Sequence, residues 1–108
     1  MNVKESGVMI VLSFAYPYGD TLDPEYYMTQ HIPKVKAVLA SFEGSRAELR
    51  KDITPGEGPF QLTISFYFRS AEVMEQFLAD PRIPDLQQDI ANFYGGAPRV
   101  FTEEQVEV

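Results

Sequence analysis

"VMIVLSFAY", Val8 to Tyr16, decides the fold because it is apolar at both parities. Val8, Ile10, Leu12, Phe14 and Tyr16 alternate with Met9, Val11 and Ala15. Alternate residues of a strand share a face, so this run predicts a strand covered on both sides, as at the centre of a sheet. "PYGDTLDPE" follows with turn residues, and its end supplies an N-cap (Asp23), a proline at the first helical position (Pro24) and an acid in the first turn (Glu25). A helix is therefore expected from about Pro24. Met28, Ile32, Val35, Leu39 and Phe42 continue at spacings of four and three, which makes one apolar stripe, and Gly44 is its stop.

Beyond the helix, "SRAELRKDI" has the length of a strand and the charge of an exposed edge, where charge discourages unwanted pairing. "TPGEGP" is a hairpin connection. "FQLTISFYF" then alternates, with Phe60, Leu62, Ile64, Phe66 and Phe68 on one face and Gln61, Thr63, Ser65 and Tyr67 on the other. Ser70 caps a second helix with Val73, Met74, Phe77 and Leu78 on its apolar side, and Asp80-Pro81 ends it. A further helical piece is expected from about Pro84 through Leu86, Ile90 and Phe93. "YGGAP" breaks it, and Arg99 to Val108 suits a final edge strand.

The order strand, helix, strand, strand, helix, strand predicts an α+β fold, the split βαβ (βαββαβ) plan. Its four-stranded antiparallel sheet carries its helices on one face, and residues 1–108 make one domain. Helices on one face leave the second apolar side of the first strand bare. The economical cover is a second copy packed sheet against sheet, so a homodimer closing a barrel between the chains is expected.

Composition narrows the function classes. The chain has 108 residues, a net charge of -7 and no cysteine. The negative charge opposes binding to nucleic acid and to anionic membrane surfaces. Arg46, Arg50 and Lys51, the one dense basic cluster, are interleaved with Glu48 and Asp52 and read as a solvated strand face. Without cysteine there are no disulfides, no thiolate nucleophile and no cysteine-held metal, which suits a reducing cytoplasm. The longest apolar run is far shorter than the roughly 20 residues needed to span a bilayer, and no signal-peptide pattern opens the chain. Neither "GEG" nor "GG" sits in a phosphate-loop setting, and the scattered carboxylates lack metal-ligand spacing, so no cofactor and no metal are expected.

One residue invites chemistry. His31 is the only histidine, and Pro33 follows it inside the predicted helix. Counted from Met28 at about 100° per residue, His31 falls roughly 60° from the centre of the apolar stripe, on its shoulder. Tyr27 at i−4 and Lys34 at i+3 share that flank. Pro33 has no N–H for the carbonyl of Thr29, so a bend or local unwinding is expected just after His31. The freed carbonyl could hold one imidazole nitrogen and leave the other facing a cavity between helix and sheet. Tyr16, Tyr26, Tyr27, Phe93 and Tyr94 are candidate walls of such a pocket, although aromatics at these places also serve as plain core.

"DPEYYMTQHIPKVKAVL", a first strand ending in aromatics and the later "NFYGGAP" together resemble the EthD family of dimeric α+β barrel proteins. Tyr27, His31, Pro33 and Val35 carry the specific part of the likeness. The resemblance implies a ferredoxin-like homodimer, a small cavity near the histidine, and a name taken from ethyl tert-butyl ether degradation. It leaves three readings open. In the first, a small, largely apolar molecule, aromatic or aliphatic, is transformed with His31 as general acid or base and Tyr27 as donor. In the second, the same pocket belongs to a non-catalytic ligand-binding or accessory homodimer that supports a partner enzyme. In the third, His31 is satisfied by backbone and no cavity exists.

Overall fold

The computed structural model describes residues 9–108. The first strand, β1, spans Ile10–Pro17; Val8, placed at its start by the sequence, lies outside the described residues. β1 pairs antiparallel with β3 (Phe60–Phe68) on one side and β4 (Arg99–Glu104) on the other, while β2 (Arg46–Lys51) pairs with the free edge of β3. The strand order β2-β3-β1-β4 puts the doubly apolar strand in the middle and the charged strand at an edge. All six residues of β2 are exposed, as its charge foretold.

Helix α1 runs in three consecutive pieces: Pro24–Tyr26, a π-helical turn Tyr27–His31, and Ile32–Leu39. Asp23 caps it by accepting from the backbone N–H of Tyr26 at 3.2 Å. Helix α2 spans Ala71–Leu78 and is capped by the Ser70 hydroxyl on the N–H of Val73. Helix α3 spans Ile83–Asp89, with Pro84 in its first turn, and tightens into a 3₁₀ turn at Ile90–Asn92. Among the described residues no helix is long and apolar enough to cross a membrane.

The π turn corrects two expectations. The distortion associated with Pro33 spans Tyr27 to His31 rather than following His31, with the N–H of Ile32 donating to the carbonyl of Tyr27, five residues back. One extra residue in that turn also rotates the start of the helix relative to its end. The buried stripe is consequently Tyr27, His31, Val35, Val38 and Leu39, and Met28, read as a stripe residue, is 49% exposed. His31 belongs to the buried face, not to its border.

Leu12, Phe66 and Phe68 of the sheet pack against Val35, Val38, Phe77 and Leu86 of the helices. A second cluster at the other end joins Tyr16 and Leu62 to Tyr27, Phe93 and Tyr94. Phe60 leaves the face assigned to it. The register shifts between Tyr16 and Pro17, and its ring stacks on Phe101, whose backbone neighbour on β1 is Ser13 of the opposite face.

That opposite face is partly covered by the chain itself. At its centre the hydroxyls of Ser13 and Ser65 lie 2.7 Å apart, and Arg50 reaches in from β2 to donate to Ser65. Arg46 lies over the ring of Tyr67, which donates to Glu48. The side expected to be bare and apolar thus has a polar centre built from small residues shielded by long edge side chains.

Candidate functional site

His31 is the last residue of the π turn, which directs its ring under α3. There Nδ1 lies 2.8 Å from Oδ2 of Asp89, the last residue of that helix. Where the sequence leads one to expect the carbonyl of Thr29 on one ring nitrogen, a carboxylate 58 residues away holds Nδ1. Asp89 also accepts from the Tyr26 hydroxyl at 2.6 Å and from the Asn92 amide at 3.0 Å, and the ammonium of Lys34 lies 3.8 Å away. Both dyad side chains are nearly sealed, at 7% exposure for His31 and 6% for Asp89.

These contacts fix the protonation states. Burial works to raise the carboxyl of Asp89, but the hydrogen bonds from Tyr26, Asn92 and His31, with the Lys34 charge, bring it down to about 2. A carboxylate only accepts, so Nδ1 of His31 must carry the proton. Burial lowers the imidazole below its ordinary value, more than Asp89 raises it, and Lys34 lowers it further. At neutral pH the ring is therefore uncharged, with Nδ1 as donor and Nε2 as the free base.

His31 and Tyr27 line a cavity between helices and sheet together with Tyr16, Phe14, Val35 and Leu86. Its volume is about 40 Å³, room for a few atoms. The Tyr27 hydroxyl is buried and has no hydrogen-bond partner. Burial pushes its pKa up, so it stays protonated and able to donate. Tyr16 is held protonated in the same way, by burial first and then by its proximity to Tyr27 and Tyr94.

Of the residues picked from sequence, Tyr16, Tyr27 and His31 meet at the cavity wall. Phe93 stands one layer back, with its ring 4.6 Å from that of His31 and 4.9 Å from that of Tyr27. Tyr94 packs edge-on against Tyr16 and donates to the carbonyl of Pro17 at 2.7 Å, which ties the chain after α3 to the end of β1. Asp89 and Asn92 were missed, and Tyr26, expected only as a candidate wall, instead donates its hydroxyl to Asp89. Asp89 is one of 16 acidic residues and nothing in its neighbourhood marks it; only the packing of α3 beside α1 brings it to His31. Among the described residues no three His, Asp or Glu side chains converge as a metal site would require.

The family model for the EthD domain matches residues 23–97. An EthD-like protein from Ralstonia eutropha JMP134 is 30% identical, with 88% of this chain and 89% of that chain covered at a TM-score of 0.67. A dimeric ferredoxin-like protein of unknown function from Thermobifida fusca YX is 13% identical over 98% and 97% of the two chains, at a TM-score of 0.64. SnoaB, a cofactor-independent oxygenase from Streptomyces nogalater, is also 13% identical, over 94% and 92%, at a TM-score of 0.60. No curated protein matches the chain.

Proposed function

The chain belongs to the EthD family, and from that premise we propose that it binds and transforms a small, largely apolar molecule in the cavity between helices and sheet, with His31 as general acid/base and without a metal. One observation carries the reading: Nδ1 of His31 is fixed on a buried, ionised Asp89, while the same ring lines an apolar cavity. In this arrangement Nε2 takes a proton from a bound O–H or acidic C–H. The resulting imidazolium is stabilised by Asp89, and the unpartnered Tyr27 hydroxyl donates to the oxygen on which negative charge gathers. The likeness to an oxygenase that works without a cofactor is one of fold, and is compatible with metal-free chemistry on this scaffold. With ¹⁵N-labelled histidine, the ring should show the neutral Nδ1–H form at pH 7. An Nε2–H ring or an imidazolium would remove the base.

The second part of the proposal is a homodimer through the open face of the sheet. The dimeric relative with this fold supports it, and so does the row of Phe60 and Phe101 beside the serine pair. Sedimentation at micromolar concentration should give twice the chain mass, and Phe101→Glu should shift it toward one. A stable monomer in the unsubstituted protein would end this part of the reading.

A further inference from the structure

Among the described residues, only two buried side-chain polar atoms lack a hydrogen-bond partner: the hydroxyls of Tyr27 and Ser45. Buried hydroxyls are nearly always paired, because an orphan forfeits its hydrogen bonds to water without replacement. Each of these two lines a different cavity. Tyr27 belongs to the small one beside His31. Ser45 belongs to a groove between α1 and β2, floored by Ala47 and Leu49 and flanked by Met28 and Ile32, of about 420 Å³. The two cavities share Val35 and Ile64 as a common wall.

Their sizes are complementary. The inner cavity, at about 40 Å³, takes a polar head and a few atoms, whereas the groove falls in the range of roughly 300–1,000 Å³ usual for small-molecule sites. The groove is apolar but for Ser45 and Lys36, and it keeps 49% of Met28 and 37% of Leu49 exposed. We propose that groove and cavity are two halves of one ligand site. An elongated molecule puts a hydroxyl or carbonyl head against Tyr27 and His31, passes the side chains of Val35 and Ile64, and lays an apolar arm along α1 that carries a second polar atom to the Ser45 hydroxyl. The inference rests on the reading of the inner cavity given above and adds the shape of the ligand: a polar head, a long apolar arm and a polar atom where the arm meets Ser45, not a compact ring.

Primary alcohols test both levels, because each has one hydroxyl head and an arm of chosen length. 1-Butanol, 1-hexanol and 1-octanol are titrated into the isotopically labelled protein, with the His31 ring and the amides of Ala47 and Leu49 followed by nuclear resonance. The expected result is that all three shift the His31 ring, that affinity rises about fourfold per added methylene, and that only the longer two shift Ala47 and Leu49. Ala47→Phe fills the groove and should remove at least tenfold of the octanol affinity while leaving butanol unchanged. Leu49→Trp, at the open rim, fills it from the other side if Ala47→Phe disturbs the sheet. If butanol leaves the His31 ring unmoved, the inner cavity is not a ligand site and the function proposed above fails with it. If butanol moves the ring but chain length adds nothing, or octanol binding ignores both fillers, the inner site stands and the two-part site is overturned. The groove would then be left to another occupant, such as a segment of a second copy.

Discussion

His31→Ala should lower turnover by about 10²- to 10⁴-fold, the usual worth of a positioned acid/base, while leaving the protein folded. The fold survives because the partners of the lost ring are not stranded. Asp89 keeps the Tyr26 hydroxyl, the Asn92 amide and the nearby Lys34. Phe93 and Tyr27 keep each other at 4.9 Å. Loss of rate with little change in ligand affinity is the signature of a proton-transfer role, since Nε2 then contributes more to the transition state than to the ground state. The accessory reading expects the opposite split, with weaker binding of the small molecule and no rate to lose. Steady-state kinetics together with a ligand titration separates the two. An unchanged kcat in a folded variant would withdraw His31 from the chemistry.

The plan of the sheet was legible because its signals are local and redundant. Strand parity in Ile10 to Tyr16, charge in Arg46 to Lys51 and alternation in Leu62 to Phe68 each follow from which faces water reaches, and the pairings agree with all three; Phe60 departs only because the register shifts beside Pro17. The candidate site was legible only up to α1. Tyr27, His31 and Val35 stand four apart, a spacing that a helix with a π turn aligns on one face, yet the count from Met28 assumed a uniform helix and turned His31 to the border. The polar patch around Ser13 and Ser65 escaped for another reason. A single serine among apolar neighbours carries no sign of pairing across 52 residues of sequence. Asp89 had the same handicap. Its role is a property of how α3 lies on α1, and one sequence without packing does not distinguish it from a solvated acid.

Asp89→Ala should cost about 2–4 kcal/mol, because it strands the Nδ1–H of His31 in a buried position and removes the acceptor of Tyr26 and Asn92. It should also change the acid limb of the stability curve. In the unfolded chain His31 takes up its proton near its ordinary value of 6.5, but in the folded protein only at lower pH. Between those values the unfolded state binds more protons, and stability falls as the solution is acidified. Asp89 adds a second step. Its carboxyl stays ionised in the folded protein down to about 2 against an ordinary 3.8, so its stabilisation is full above about pH 4 and is lost between there and pH 2. That step is worth on the order of 1–2 kcal/mol once solvent screening is allowed for. Denaturant unfolding from pH 8 to pH 2 should show both declines in the parent protein. His31→Ala should lack the upper one, and Asp89→Asn, which keeps the shape and one acceptor oxygen, should lack the lower one. In Asp89→Asn the imidazole loses the charge that raises it, so its proton uptake moves further down and the upper decline reaches to lower pH. An Asp89→Asn curve superimposable on the parent below pH 4 would show that the carboxylate is not held by the network around His31, and the tautomer argument for Nε2 would fall with it.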